Sequence, residues 1–150
     1  MNPEGLHVNQ RRSLGKSGVM VSPLALGLVK LGRNTGVKYP VHEALPDDDA
    51  ARALIETALA CGITTLDTAP AYGSSEERLG KLMDSLGLNG SRRDEIVLCT
   101  KAGEEFDGER SAFDFAPVTL RASVERSLRR LRVDRLDVVL LHSDGVMEVS

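Results

Sequence analysis

The distribution of apolar residues divides the chain into short strand-like runs separated by amphipathic helical segments. Four compact apolar runs lack a period-two alternation and are predicted as strands: Pro23–Leu28, Ile63–Leu66, Ile96–Thr100 and Leu136–Leu141. Ahead of them, the glycine-containing segment Arg12–Val21 predicts a small hairpin. Because helical segments separate the four runs, the pattern predicts an α/β fold with a parallel sheet covered by helices.

Capping residues and stop signals predict three helices between these strands. Their predicted bounds are Asp47 or Asp48 to Gly62, Ser74 or Ser75 to Gly87, and Val118 to Arg132. Apolar residues at spacings of three and four predict the buried faces, which are Ala50, Leu54, Ala58 and Cys61 in the first helix, Leu79, Leu82, Met83 and Leu86 in the second, and Leu120, Val124, Leu128 and Leu131 in the third.

An ionisable side chain stands at the end of each of the last three strands. Asp67 follows the second strand, Lys101 the third and His142 the fourth, and Tyr72 lies in a Pro- and Gly-bounded loop just after Asp67. The intervals between the three strand ends leave room for one helical crossover each, since a βαβ unit takes about 30 residues. Parallel strands built this way end on one face, so the four side chains are expected to converge there.

Each of these four residues also has an ordinary structural explanation when it is taken alone. Asp67 could form a turn, Tyr72 could pack, Lys101 could be a solvated strand end, and His142 could be a hydrogen-bonded core histidine. Their joint placement favours chemistry. A lysine beside a phenol stabilises the phenolate and lets Tyr72 exchange a proton, while Asp67 can hold Lys101 and His142 can donate a hydrogen bond to a substrate oxygen.

The aromatic residues all fall in segments that are predicted as loops after strands. They are Tyr39, Tyr72, Phe106, Phe113 and Phe115. The long loop from Ala102 to Pro117 carries the three phenylalanines and is a candidate binding loop. Two interpretations stay open for these rings: an apolar wall over the polar residues, or tethers that hold long loops in place.

Composition narrows the class of protein. The chain has 150 residues, 41% of them hydrophobic, and a net charge of −3 without any basic block, which argues against a nucleic-acid partner. The first ten residues lack an apolar signal-peptide core, and no stretch approaches the roughly 18 apolar residues of a membrane span. We therefore expect a cytoplasmic protein without membrane contact. Cys61 and Cys99 suit small buried hydrophobes better than a disulfide or a metal pair, and no metal site is predicted.

Several segments together carry a family pattern. They are Leu66–Glu76, Thr100–Lys101, Ser123–Leu131 with Asp134–Asp137, and Leu141–Ser143. In these segments the chain resembles the N-terminal half of a bacterial aldo-keto reductase, and the similarity runs from about residue 11 to the end. The resemblance implies a (β/α)8 barrel of the TIM type, with about the first four strands present after a short hairpin. Residues 1–10 would be a polar leader and residues 11–150 the N-terminal half of the barrel.

The resemblance also implies an activity. In this family the catalytic tetrad carries over onto Asp67, Tyr72, Lys101 and His142. Such enzymes reduce an aldehyde or ketone, or oxidise the alcohol, by direct hydride transfer with a nicotinamide cofactor, which is usually NADPH, although NADH stays open. The cofactor-contacting positions implied here are Gly27, Leu28, Val29 and Asp67. The identity of the carbonyl substrate stays open, because specificity in such barrels lies in loops.

The length of the chain adds further expectations, because a complete barrel of this type needs about 250 residues. Strands Pro23–Leu28 and Leu136–Leu141 are expected to have open edges, with inward residues uncovered at Leu26, Leu66, Val97 or Leu98, and Leu140 or Leu141. A homodimer, aggregation or completion by a missing C-terminal half would follow, with weak cofactor binding. Two alternative functions remain: a non-catalytic nicotinamide-binding regulatory subunit, and an inactive truncated fragment of the reductase.

Overall fold

The computed structural model describes residues 10–37 and 44–143, and within them one face of a parallel sheet packs against a layer of helices. A hairpin of β1 (Arg12–Ser13) and β2 (Met20–Val21) precedes the sheet strands β3 (Ala25–Gly27), β4 (Thr65–Asp67), β5 (Val97–Ala102) and β8 (Val138–Leu141), which are ordered β3-β4-β5-β8. All three pairings in this sheet are parallel, so the predicted hairpin and the four predicted strands are confirmed.

The three predicted helices follow the strands in the predicted order. The helices are α1 (Val29–Gly32), which was not predicted, α2 (Asp48–Ala60), α3 (Ser75–Leu86) and α4 (Pro117–Leu131), with a 3-10 turn at Arg93–Glu95 before β5. Asp47 caps α2 by accepting a hydrogen bond from the Ala50 backbone at 2.8 Å, and Gly87 ends α3 in the left-handed conformation. Leu79, Leu82, Met83 and Leu86 of α3 are buried as predicted.

The core lies between the sheet and the helices. Leu66 and Leu98 are completely buried there against α2, α3 and α4, and Leu26 packs at its edge. The expectation that Leu26 and Leu66 would point into the barrel interior is therefore wrong. Side chains alternate along a strand, so of the alternatives left open, Val97 and Leu140 rather than Leu98 and Leu141 lie on the face away from the helices.

Two helices bury a different face from the predicted one. In α2 the buried residues are Ala51, Ile55 and Ala58, whereas Ala50, Leu54 and Cys61 are exposed. The alanine-rich helix offers two apolar stripes, and the stripe that contains Ile55 packs on the sheet.

In α4 the fully buried residues are Ser123, Ser127 and Leu131, while Leu120, Val124 and Leu128 are half-buried. Small side chains suit this face because the backbones of α3 and α4 approach closely at Gly80 and Arg130.

The segment predicted as the loop Ala102–Pro117 contains a second hairpin. Strand β6 (Glu104–Phe106) pairs antiparallel with β7 (Ser111–Phe113), and the Asp107 carboxylate accepts two backbone hydrogen bonds at 2.8 Å in the turn. Phe106 and Phe113 therefore lie in strands. Tyr39 and residues 1–9 of the predicted leader lie outside the described residues.

The start of β8 is fixed by a side chain. The Asp137 Oδ2 accepts hydrogen bonds from the Leu98 backbone N–H and from an Arg93 guanidinium nitrogen, both at 2.7 Å. The Asp137 backbone N–H in turn donates to the Leu98 carbonyl at 3.1 Å. These contacts align β8 with β5.

Strands β3 and β8 form the two edges of the sheet as it is described, which confirms the predicted open edges. Val139, Leu140 and Leu141 on β8 are 42%, 48% and 59% exposed. No helix within the described residues is long and apolar enough to cross a membrane.

Candidate active site

Asp67 and Lys101 meet at the carboxyl ends of neighbouring strands. In the β4–β5 register Asp67 lies beside Cys99, and Lys101 follows two residues later on the same face of the sheet. The Lys101 Nζ donates to both carboxylate oxygens of Asp67, at 2.8 and 2.9 Å, and to the Thr68 carbonyl at 3.0 Å. The ammonium group is thus held by three acceptors in a fixed place.

Tyr72 approaches this pair from the loop between β4 and α3. The Lys101 Nζ lies 4.7 Å from the centre of the Tyr72 ring. Two completely buried hydroxyl groups fix the loop at its ends, because Thr68 and Ser75 share a hydrogen bond of 3.0 Å and Ser75 donates to the Leu28 carbonyl at 2.8 Å. Gly73 has φ of 62° and packs against the Gly32 backbone, where a larger residue would be strained.

His142 follows β8 and completes the cluster. Its backbone N–H donates to the Ala102 carbonyl at 2.8 Å, which continues the β5–β8 ladder. Its ring lies edge-on to Tyr72 with 5.8 Å between ring centres. The three residues that the sequence placed at strand ends and Tyr72 in its loop are therefore neighbours in space.

The charges of the cluster follow from burial and pairing. Burial disfavours the charged form of Lys101, but its interactions with Asp67 and Tyr72 outweigh this and raise its pKa above the ordinary value. Burial and the nearby Asp67 carboxylate raise the pKa of the Cys99 thiol to about 12. Lys101 is therefore a permanent cation at neutral pH, and Cys99 is an inert thiol on the same face.

The ring of His142 has a less favourable environment for a charge. Burial lowers its pKa below the ordinary value, and Glu104 acts against this change. The Nδ1 of His142 lies 3.0 Å from the Glu104 Oε2. The distance is short, but the angle is not that of a hydrogen bond. No group within residues 10–37 and 44–143 makes a well-directed hydrogen bond to this solvent-shielded nitrogen.

Sequence reasoning missed Glu104 and its partner Arg33. Arg33 donates to the Ala71 carbonyl at 2.9 Å, contacts the Glu104 Oε1 at 3.4 Å and covers the Phe106 ring at 3.6 Å. Both charged residues are only 9% exposed. Glu104 lies in the segment predicted as the loop Ala102–Pro117, and no spacing rule links it to Arg33. The only available signal was a glutamate three residues beyond Lys101 in a short polar stretch.

The predicted cofactor-contacting residues have different surroundings. Gly27 is exposed and has open space beside its Cα, whereas Leu28 is 2% exposed in the core and Val29 is half-buried. The phenylalanines also differ: Phe106 packs under Arg33, Phe115 packs against Gly103, and Phe113 is 40% exposed.

The parallel sheet, its helical layer and the charged cluster at the strand ends define an α/β protein of the TIM-barrel type, represented here by its first four strands. The chain belongs to the aldo/keto reductase family, whose sequence profile matches residues 23–147. The family resemblance and the fold class expected from the sequence are thereby confirmed.

Named relatives and solved structures agree with this assignment. The chain is 36% identical over 133 residues to L-galactose dehydrogenase from Arabidopsis thaliana. This alignment covers 87% of the present chain and 37% of the relative. It is also 39% identical over 127 residues to D-arabinose 1-dehydrogenase from Saccharomyces cerevisiae, in an alignment that covers 81% of this chain and 33% of the relative. A crystal structure from Pseudomonas aeruginosa, assigned to the aldo-keto reductases, is 50% identical with a TM-score of 0.77 and covers 94% of this chain and 50% of that one. The chain thus spans about a third to a half of the length of these proteins and matches their N-terminal part.

Proposed function

We propose that this chain carries the catalytic cluster of an oxidoreductase that reduces aldehydes or ketones, or oxidises the corresponding alcohols, by direct hydride transfer with NADPH, with NADH as the alternative cofactor. The observation that carries the proposal is the placement of Lys101. Its ammonium group is bonded to both oxygens of Asp67 and lies 4.7 Å from the centre of the Tyr72 ring. Family membership supports the reaction class.

In the reductive direction, Tyr72 donates its phenolic proton to the carbonyl oxygen. The Lys101 cation stabilises the phenolate that remains, and Asp67 keeps Lys101 in place. His142, with its ring edge-on to Tyr72, donates a hydrogen bond to the same oxygen and orients the carbonyl. The polarised carbonyl carbon then accepts a hydride more easily.

The nicotinamide cofactor would supply the hydride when it is bound. The residues present fit its reactive end, because Gly27 leaves open space at the end of β3 and the Asp67 side chain is 27% exposed beside it. Gly27, Val29 and Asp67 would hold that end. The Leu28 side chain lies in the core, and its backbone N–H and carbonyl are already bonded to Asp67 and Ser75.

The test is the Tyr72→Phe variant of the whole protein, which keeps the ring and removes the proton donor. We expect kcat for carbonyl reduction to fall by about 10² to 10⁴, as is typical for the loss of a general acid. Cofactor affinity, measured by fluorescence titration, should stay nearly unchanged. Tyr39→Phe removes the hydroxyl from the other tyrosine of the chain and serves as the matched control.

Full activity in Tyr72→Phe would show that Tyr72 is not the proton donor. Tight cofactor binding by the wild-type protein without any turnover would instead favour a non-catalytic nicotinamide-binding subunit.

The open sheet supports a further part of the proposal, which concerns partners and location. We propose that additional strands cover the β3 and β8 edges, either from a C-terminal half of the barrel or from a second copy of the chain. The exposed apolar side chains of β8 support this, because unpaired edges with apolar residues favour pairing. The two free cysteines support a reducing, cytoplasmic compartment.

A further inference from the structure

Glu104 occupies a position that the reaction scheme above does not use. It begins β6, directly after Gly103, where the chain bends with a φ of 112°. Its side chain is 11% exposed and lies against His142, with 3.0 Å between Oε2 and the ring Nδ1. A carboxylate therefore borders the histidine on the side of one particular ring nitrogen.

The charge of Glu104 is compensated on its other oxygen. Oε1 accepts a hydrogen bond from the Ser111 hydroxyl at 2.5 Å and contacts the Arg33 guanidinium at 3.4 Å. Arg33 is itself fixed by the carbonyls of Thr35 and Ala71, both at 2.9 Å. A fixed cation and a hydroxyl donor thus engage Oε1, while Oε2 faces His142 and the charge of the carboxylate acts on the ring.

A negative charge at Nδ1 decides which protonation forms of the ring are favourable. A neutral imidazole carries one hydrogen, and a carboxylate beside Nδ1 favours the form in which that hydrogen sits on Nδ1. In that form Nε2 can only accept a hydrogen bond. Nε2 becomes a donor only when the ring gains a second proton and is an imidazolium.

We propose that Glu104 is a positioning residue for His142: it keeps a hydrogen on Nδ1, so that His142 acts as an imidazolium donor toward a carbonyl oxygen during reduction and as a neutral acceptor toward an alcohol during oxidation. The inference rests on the proposed function for the meaning of these two directions. The protonation pattern of the ring can be measured without any turnover.

Other charged groups around His142 determine the direction of the expected effect. Burial is the main cause of its lowered pKa, Lys101 and Arg33 add to this change, and Glu104 and Asp67 oppose it. Glu104 is the stronger of the two opposing carboxylates. Removing its charge must therefore lower the pKa of His142 further, and an amide in its place could donate to Nδ1 and permit the other tautomer.

The direct test is an NMR titration of the histidine ring nitrogens in the wild-type protein and in Glu104→Gln. His142 is distinguished from His7 and His42 by the signal lost in His142→Asn. We expect the neutral wild-type ring to carry its hydrogen on Nδ1, and Glu104→Gln to titrate at lower pH with a gain of the Nε2–H form. The matched control is Glu105→Gln, since the neighbouring glutamate on β6 pairs with Arg126 and Ser123 instead.

The kinetic test is the pH profile of kcat/KM for reduction. For a group that must be protonated, the active fraction falls tenfold per pH unit above its pKa. Glu104→Gln should therefore move the high-pH decline of reduction to lower pH, lose activity at neutral pH and regain it on acidification. Oxidation of the alcohol should be affected less, because the neutral ring serves there. A residue with only a structural role would lower activity equally at all pH values.

The outcomes separate this inference from the proposed function. An Nε2–H neutral ring in the wild-type protein, or a His142 titration that is unchanged in Glu104→Gln, would overturn the inference even if the enzyme turns over. Absence of turnover in the wild-type protein would count against the proposed function and leave the NMR result readable. If Glu104→Gln does not fold, Glu104→Asp shortens the reach of the carboxylate and should move the titration in the same direction; no movement there would also overturn the inference.

Discussion

Replacement of Gly80 by alanine tests how closely the helices α3 and α4 pack against each other. Gly80 lies in α3, and a Cβ at this position would approach the Arg130 carbonyl oxygen of α4 closer than 3.0 Å and the Leu131 backbone at 3.1 Å. Both neighbours are backbone atoms, so no side-chain rotation can relieve the overlap. The two helices would have to separate, and Leu131 is completely buried in the core.

The expected magnitude combines two opposing effects. Overpacking in a well-packed region costs about 1–3 kcal/mol, and the upper end applies here because backbone must move. Alanine gains about 1 kcal/mol over glycine in helix propensity. Separation also weakens the contacts of Arg130 with Glu76 at 3.5 Å and with Glu77 at 3.0 Å. We therefore expect a net loss of about 2 kcal/mol in the free energy of unfolding, which corresponds to a fall in Tm of about 4–8 °C.

The assay is urea unfolding followed by circular dichroism, with a thermal melt as a second measurement. Gly90→Ala is the matched control, since a Cβ there has the Gly87 carbonyl at 4.0 Å as its only neighbour within that distance. The control should be neutral or slightly stabilising, because alanine restricts the unfolded chain. Equal or higher stability of Gly80→Ala would mean that helix propensity dominates and that the reasoning about close packing is wrong.

The remaining predictions concern the edge strands of the sheet and the two cysteine thiols. In sedimentation velocity, the 150-residue chain should self-associate or aggregate, because β3 and β8 are edge strands and Leu141 is 59% exposed; a sharp monomer peak at micromolar concentration would contradict this. Native alkylation with iodoacetamide at pH 8, read by intact mass, should modify Cys61, which is exposed, and spare Cys99, whose pKa is raised to about 12. A second adduct that appears before unfolding would show that Cys99 is accessible as a thiolate.

The convergence of the four polar residues could be predicted from the sequence for a definite reason. Parallel strands with crossovers of sufficient length must end on one face, so the position of Asp67, Lys101 and His142 at strand ends was enough to bring them together. Tyr72 lies near them because the loop that joins it to Asp67 is only a few residues long. The roles of these residues in catalysis stay predictions.

Other features could not be predicted because they depend on contacts between distant segments. Glu104 and Arg33 are far apart in the chain and meet only in the folded structure, and Arg33 lies in a stretch without any periodic pattern. The burial of Ser123 and Ser127 in α4 is set by the close approach of a neighbouring helix, which favours small side chains over apolar ones. A hydrophobicity pattern contains no information on that distance.

The carboxylate of Asp137 has a consequence for the register in which β8 can pair with β5. Residues 98 and 137 are far apart in the chain, so their pairing must overcome a loop-closure entropy, and non-local pairings of this kind slow folding. A slipped alignment of β8 would leave Arg93 and the Leu98 N–H without the oxygen that now accepts from both. An unsatisfied buried donor costs about 1–3 kcal/mol. The Asp137 carboxylate thus favours one alignment of β8 over slipped ones, and in that alignment His142 lies beside Tyr72.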